Sequence, residues 1–147
     1  MDHGTVPPPQ STVPSLTTSI DRLAPYVLSI LRIVVALLFL QHGLSKLFGF
    51  PQPMAPPPML TMIWLAGAIE LVGGVLLTLG LFTRAAAFIM SGEMAIGYFL
   101  AHAPRGFFPI LNGGNLAILY CFVFLYLVFA GPGPWSLDML WQRKRGA

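Results

Sequence analysis

Apolar residues form four long segments, which are separated by polar or proline-rich links. The segments cover residues 27–48, 60–82, 85–102 and 112–130. Each is close to the ~20 residues that an α-helix needs to cross a hydrocarbon core of ~30 Å. All fourteen prolines lie outside the segments, as expected for helices, because proline is most destabilising inside a helix. The segments lack the period-two alternation of barrel strands, so the pattern predicts an all-α bundle of four transmembrane helices.

The two ends of the chain differ from this central part. Residues 1–25 are polar and rich in proline, and we expect a disordered cytoplasmic leader that becomes ordered near Asp21 and Arg22. The leader has no basic region followed by a short apolar stretch, so it is not expected to be a cleaved signal peptide. Residues 26–131 form the predicted transmembrane domain, and residues 132–147 a cytoplasmic tail.

The tail has the pattern of a short amphipathic helix at the membrane interface. Ser136 is expected to cap it, with Asp138 in the first turn. A basic run, 143–145, ends the helix and favours anionic lipid headgroups. The apolar side chains expected in the headgroup zone are Trp135, Leu137, Leu140 and Trp141.

Cations at the segment ends predict the orientation of the bundle. Four spans place both termini on one side of the membrane, together with the link between the second and third spans. The cations on that side are Arg22, Arg84, Arg143, Lys144 and Arg145, and those on the other side are Lys46 and Arg105. Basic residues are enriched in cytoplasmic loops, so both termini are predicted to be cytoplasmic.

Composition excludes several classes of protein. Charged residues make up only 9% of the 147-residue chain, against about 25% in soluble domains. Hydrophobic residues make up 56%, and the mean hydropathy is +0.76. Cys121 is the single cysteine, which excludes an internal disulfide and a C-x-x-C redox pair. A net charge of +3 carries too few cations for nucleic-acid binding, and we expect no metal site.

Ionisable side chains nevertheless occur inside the predicted spans. Each costs about 2.5–3.5 kcal/mol at the centre of a membrane helix, so each needs a structural or functional reason. The proposed pocket consists of Arg32, His42, Lys46, Glu70 and Glu93. Secondary polar positions are His102, Asn112 and Asn115. Helical periodicity places the three basic residues of the first span on one face, and small residues flank both glutamates, so the charges are predicted to face the bundle interior.

Depth in the membrane suggests which charges pair. At ~1.5 Å per residue from the cytoplasmic end, Arg32 lies ~7 Å deep, Glu93 ~13 Å, Glu70 ~18 Å and His42 ~22 Å. The sequence therefore predicts pairs of Arg32 with Glu93 and of His42 with Glu70, and leaves open a pair of Arg32 with Glu70. Two roles also remain open: the pairs only fix helix register, or they form a pocket that receives a ligand headgroup or passes protons.

Five stretches resemble the DoxX family of small bacterial and archaeal membrane proteins. They are LRI at 31–33, HGLSKLFGF at 42–50, ELVGG at 70–74 leading to GLFTR at 80–84, NGGN at 112–115, and GPGPWSLD at 131–138. The family usually has a glutamate where this chain has Asn115. The resemblance implies a four-helix protein of the cytoplasmic membrane, similar to membrane partners of quinone-linked and thiol-stress redox enzymes.

Three functions follow as hypotheses. The first is an accessory subunit of a membrane redox complex, in which the pocket holds a quinone or similar headgroup and a soluble redox partner binds at the cytoplasmic face. The second is a non-catalytic scaffold whose basic tail recruits a partner. The third is a small transporter or proton pathway, which would require self-association. No residue is assigned a catalytic role, since the chain lacks a thiol pair, a haem-binding pattern and a flavin motif.

Overall fold

The computed structural model describes residues 16–146, and every regular element in that range is a helix. The third helix continues through a π-helical turn, Tyr98–His102, and a 3₁₀ turn, Ala103–Arg105. The helices are α1 (Leu16–Phe48), α2 (Met62–Leu79), α3 (Thr83–Gly97), α4 (Pro109–Asn112), α5 (Asn115–Ala130) and α6 (Leu137–Arg145).

Three helical stretches are long and apolar enough to cross a membrane. They are Ile20–Phe48, Met62–Leu79 and Thr83–Arg105, whereas the apolar helix Asn115–Ala130 is shorter, at 16 residues. The all-α prediction is thus confirmed for the described part of the chain, and the membrane-length prediction for three segments of four.

The first helix begins earlier than the sequence predicts. It starts at Leu16, so the predicted leader boundary at residue 25 is wrong, and Pro25 lies inside the helix. Proline lacks the N–H that would bond to the carbonyl four residues earlier. A neighbouring loop holds this turn, because the Ser29 hydroxyl donates to the Pro25 carbonyl and accepts from the amide of Trp135. The rest of the leader, residues 1–15, lies outside the described residues.

Glycines allow α1 and α2 to approach very closely. A Cβ atom added to Gly43 would lie 2.6 Å from the amide nitrogen of Leu71 and 2.9 Å from the carbonyl oxygen of Gly67. Gly67, in turn, packs against the Cβ of Lys46. This contact brings the C-terminal part of α1 level with the middle of α2. The predicted packing role of small residues near Glu70 is therefore confirmed.

An aromatic cluster joins α1 to α5 in the core. The Phe39 ring packs against Tyr120 and Phe124, with centroids 5.0 and 4.9 Å apart. Beside it, the Ser91 hydroxyl of α3 donates a 2.9 Å hydrogen bond to the Cys121 carbonyl of α5. Buried side chains around the cluster include Ala36, Leu77, Ala87, Met90 and Leu127. The four long helices thus pack in the order α1, α2, α3, α5 around one core.

The two ends of the bundle are built differently. The α6 end contains the α2–α3 turn, the 131–136 loop and α6, whereas the α4 end contains the 49–61 loop and the links around α4. At the α6 end the Ser136 hydroxyl accepts from the Met139 amide, so the predicted cap is confirmed. Asp138 lies in the first turn and the basic run in the last, as predicted.

Candidate functional site

Arg32 is completely buried at the α6 end, where it binds only backbone carbonyls. Its guanidinium donates to Pro132 at 2.8 Å and to Thr78 at 3.0 Å, and it also bonds the carbonyls of Leu77 and Trp135. These groups end α2 and form the loop before α6. Arg32 lies about 21 Å along α1 from Lys46, at 1.5 Å per residue. The predicted pair of Arg32 with Glu93 is therefore wrong, and the structure does not form the alternative pair with Glu70.

Glu70 pairs with Lys46 instead of His42. The Lys46 ammonium donates to Glu70 Oε1 at 2.6 Å, and the glutamate side chain is only 2% exposed. Helical side chains lean towards the N-terminus of their helix, so Lys46 extends back towards the level of Gly43, where the two helices touch. A depth estimate from Cα positions omits this reach, which explains why the predicted His42–Glu70 pair is wrong.

Glu93 completes a charged cluster with this ion pair. It lies on α3, near Glu70 and Lys46, and its Oε2 atom is buried without a hydrogen-bond partner among the described residues. Glu70 Oε2 is likewise buried without a partner there. We call Lys46, Glu70 and Glu93 the charged cluster.

An apolar groove between α2 and α3 borders the charged cluster. It has a volume of about 770 Å³, and Lys46 and Glu93 are the charged residues that line it. Apolar lining residues are Ile63, Leu65 and Ile69 from α2, and Phe88, Ile89 and Ile96 from α3. Most of these are exposed, so the groove opens on the outer surface of the bundle. We call it the α2–α3 groove.

Glycine has a different role on α3 than on α2. The small residues that flank Glu93 were expected to place it in the bundle interior, but a Cβ at Gly97 or Gly92 would meet no atom within 4 Å. Both glycines line the α2–α3 groove. Their missing side chains therefore widen the groove instead of bringing a helix closer.

His42 lies on the other side of Lys46, in a polar recess. The recess has a volume of about 400 Å³ and is formed by α1 and the loop that follows it. Its polar lining residues are Gln41, His42, Ser45, Lys46 and Gln52. The His42 ring is exposed and packs against Phe39 and Tyr120, and its Nδ1 atom lies 3.2 Å from the Leu38 carbonyl. Lys46 thus separates a polar recess from the apolar groove.

The secondary polar residues shape the link before α5. Asn112 is buried; its amide donates to the Gly106 carbonyl at 2.8 Å and its Oδ1 accepts from the Gly114 amide. His102 Nδ1 lies 3.1 Å from the Asn112 carbonyl. Asn115 is exposed at the start of α5. These contacts close a loop, and they give none of the three residues a place in the charged cluster.

Two long-range contacts at the α6 end were not predicted. The Asp138 carboxylate accepts from the amides of Phe82 and Thr83, where α3 begins. The Arg84 guanidinium donates to the carbonyls of Val128 and Phe129, where α5 ends. Both residues occur in the stretches that resemble the family, but residue type and spacing do not reveal such partners.

Chemically, the cluster offers hydrogen-bond donors and acceptors beside an apolar surface. The Lys46 ammonium has three N–H donors, and one is directed at Glu70. The unpartnered oxygens of Glu70 and Glu93 can accept hydrogen bonds, and Glu93 Oε2 can take up or release a proton. The arrangement suits an apolar molecule with a small polar headgroup.

Long apolar helices and a charged cluster beside a lateral groove define an integral membrane protein. Residues 27–103 match the DoxX family, and the chain belongs to that family. An uncharacterized protein of Haemophilus influenzae is 50% identical over 135 residues, which cover 86% of this chain and 98% of that protein. The inner membrane protein YphA of Escherichia coli is 34% identical over 128 residues, covering 78% of this chain and 89% of its own length.

A third relative is an uncharacterized membrane protein of Mycobacterium tuberculosis. It is 30% identical over 155 aligned positions, which cover 93% of this chain and 94% of that protein. No solved structure shows a significant match to the chain. The relatives agree with a membrane location, and their names assign no activity.

Proposed function

We propose that this DoxX-family protein is an accessory subunit of a membrane redox complex, and that the α2–α3 groove holds the headgroup of a quinone or similar amphiphile. The observation that carries the proposal is the charged cluster of Lys46, Glu70 and Glu93 at the edge of an apolar groove. Its volume, about 770 Å³, falls within the roughly 300–1,000 Å³ typical of ligand pockets.

The residues present fit a quinone headgroup. A quinone supplies two carbonyl oxygens on a ring that carries two electrons and two protons when reduced. Lys46 has N–H donors beyond the one used by Glu70, and these suit a carbonyl oxygen. Glu93 Oε2 provides a site for a proton, and the apolar lining suits the ring and its tail. The ligand would enter from the lipid, because the groove opens sideways.

Binding of a short-chain alkyl benzoquinone to the protein in lipid nanodiscs tests the ligand. Wild type is expected to bind saturably, and Ile89→Trp, which fills the groove, is expected to lose binding. Val34→Trp is the matched control, because Val34 is similarly exposed on α1 and does not line the groove. Equal binding by both variants would exclude the groove, and no saturable binding by wild type would refute the proposed ligand.

The accessory role is tested by purification in mild detergent from cells at native expression levels. We expect co-elution with a subunit whose absorbance shows a flavin, haem or iron–sulfur centre. Elution of the chain without any chromophore-bearing subunit would contradict membership of a redox complex. The same purification of the Ile89→Trp variant separates assembly from ligand binding, because this substitution lies in the groove and not on α6.

The topology proposed is four spans of the bacterial cytoplasmic membrane, with both termini in the cytoplasm. It is supported by the inner-membrane name of the Escherichia coli relative YphA and by the basic residues of α6, which lie at the same end as Arg84. The opposite end carries Lys46 and Arg105. Helix α5 is about 24 Å long at 1.5 Å per residue, and exposed apolar residues of α4 extend its hydrophobic length towards ~30 Å.

Labelling of single cysteines in intact cells tests this topology. In a Cys121→Ser background, Arg105→Cys is expected to react with a membrane-impermeant thiol reagent added from outside. Gly146→Cys is expected to react only after the membrane is permeabilised. The reverse pattern would contradict the proposed orientation, and labelling of both positions from outside would contradict a membrane-crossing α5, the helix that lies between them.

A non-catalytic scaffold is the second candidate, favoured by the way Arg32 is used. All its observed bonds go to backbone carbonyls, and the basic run on α6 is exposed. A scaffold would lose its partner when Arg143, Lys144 and Arg145 are replaced by glutamine, and would be indifferent to Glu93→Gln. A redox subunit with a groove ligand would respond to Glu93→Gln, so partner capture and ligand binding by the two variants distinguish the candidates.

A further inference from the structure

Hydrogen-bond acceptors outnumber the matched donors at the edge of the α2–α3 groove. Buried oxygens of Glu70 and Glu93 have no partner among residues 16–146. The ionisable side chains near them are Lys46, which donates to Glu70 Oε1, and His42 on α1, whose Nδ1 atom lies 3.2 Å from the Leu38 carbonyl. A buried carboxylate oxygen without a donor is unfavourable, so a ligand that brings a donor gains more than one that only accepts.

We propose that the groove binds the reduced, dihydroxy form of the headgroup in preference to the oxidised, dicarbonyl form; this rests on the proposed function. A ring hydroxyl can accept a hydrogen bond from Lys46 and donate one to Glu93 at the same time. While Glu93 is ionised, a carbonyl oxygen accepts from Lys46 but leaves the glutamate oxygen without a donor. A protonated Glu93 would itself donate to the carbonyl, so the preference belongs to the ionised carboxylate. The unpartnered Glu93 oxygen beside the groove therefore distinguishes the two forms.

The preference has a consequence for the bound couple. The reduced form gains a hydrogen bond to a charged acceptor that the oxidised form lacks. Such a bond corresponds to a difference in dissociation constant of about tenfold or more. Preferential binding of the reduced form raises the midpoint potential of the bound couple above that of the free couple. For a two-electron couple, each tenfold preference corresponds to about 30 mV.

Three ligands of similar size test the preference on the full chain in nanodiscs without oxygen, at an alkaline pH that keeps Glu93 ionised. They are a short-chain alkyl hydroquinone, the corresponding quinone, and the hydroquinone dimethyl ether, which cannot donate. Wild type is expected to bind the hydroquinone at least about tenfold more tightly than either of the others. This comparison needs no variant, so it does not depend on whether a substituted protein folds.

Glu93→Gln tests the residue assigned to the preference. Its amide can donate to a carbonyl oxygen, so the variant is expected to bind the two redox forms with similar constants or to favour the quinone. Asp21→Asn is the matched control, because Asp21 is exposed on α1 and does not line the groove. The control is expected to keep the wild-type preference, and gel filtration and circular dichroism check that both variants fold.

Four outcomes overturn the inference, and one of them also removes the proposed function. Wild type that binds the quinone as tightly as the hydroquinone overturns the inference alone, as does tight binding of the dimethyl ether. A preference that survives Glu93→Gln overturns the role of Glu93. Failure of both redox forms to bind removes the proposed ligand.

Discussion

Asp138, in the first turn of α6, accepts a 2.9 Å hydrogen bond from the backbone amide of Thr83, the first residue of α3. Its second carboxylate oxygen accepts from the amide of Phe82, also at 2.9 Å. The residue before α3 provides no side-chain cap of its own. A helix near the C-terminus therefore caps a helix that begins 55 residues earlier, and this contact joins the tail to the bundle.

Replacing Asp138 is expected to destabilise the bundle. Asp138→Ala removes both acceptors, and loss of a helix cap costs about 0.5–2 kcal/mol. Asp138→Asn keeps one acceptor and is expected to cost less. Reversible unfolding in mixed detergent and SDS measures the free energy, with Asp21→Ala as an exposed control. A loss for the control as large as for Asp138→Ala would contradict the capping role.

Arg32→Met is expected to be the most destabilising single substitution. It leaves the carbonyls of Leu77, Thr78, Pro132 and Trp135 without their donor, and each buried unsatisfied group costs about 1–3 kcal/mol. Lysine has no planar fork of donors, so Arg32→Lys is expected to recover only part of the loss.

Arg22→Met is the control for this prediction, because Arg22 is exposed on the same helix. Its unfolding free energy is expected to stay within about 0.5 kcal/mol of wild type. If Arg32→Met unfolded at the same SDS fraction as Arg22→Met, the buried arginine would have no structural role.

Lys46→Met is expected to cost about 3–5 kcal/mol, because it leaves the Glu70 carboxylate buried without its cation. Adding Glu70→Gln is expected to restore much of the loss, since the double variant buries no unpaired charge at position 70. The same SDS titration gives the coupling energy. Additive costs of the two single substitutions would show that Lys46 and Glu70 act independently. Lys144→Met, on the exposed tail, is the control.

Gly43→Ala and Gly92→Ala are expected to have opposite effects. At Gly43 a methyl group would meet the backbone of α2 at 2.6 and 2.9 Å, so the helices must separate, at about 1–3 kcal/mol. At Gly92 nothing lies within 4 Å, and alanine gains up to about 1 kcal/mol in a helix interior. Equal effects in the unfolding titration would contradict the close α1–α2 approach.

The tail is expected to respond to lipid charge. Helix α6 ends in Arg143, Lys144 and Arg145, and the Arg145 guanidinium lies 4.3 Å from the centre of the Trp141 ring. Each basic residue near an anionic surface contributes about 1 kcal/mol. Amide hydrogen exchange of the α6 segment is therefore expected to be slower in anionic than in zwitterionic nanodiscs. Replacing all three basic residues by glutamine should remove the difference; a persistent difference would exclude the headgroup contact.

Most of the helical pattern could be predicted because it depends on local properties of the chain. Long apolar runs, prolines in the links and Ser136 before α6 each act within a few residues. The start of α1 was predicted too late, because Pro25 suggested a boundary. The neighbouring 131–135 loop packs against this turn, and Ser29 bonds both Pro25 and Trp135.

The site was predicted only in part. Lys46, Glu70 and Glu93 were selected as unusual residues in apolar segments, and the structure brings them together. Their pairing was predicted wrongly, because rise per residue ignores side-chain length. Arg32 was assigned to the pocket by the same criterion. A buried arginine can bind a carboxylate or a group of backbone carbonyls. Which of the two it meets depends on where the neighbouring helices end, and composition contains no such information.

The sequence by itself determined the environment and the helices, because hydropathy and proline act over one helix length. Tertiary structure decided what the charges do. The contact at Gly43 brought Lys46 to Glu70, whereas the loop at Pro132 provided carbonyls to Arg32. Such partners lie far apart in the chain and meet only when the helices pack. The partner of a charged side chain therefore depends on the surface that packs against it.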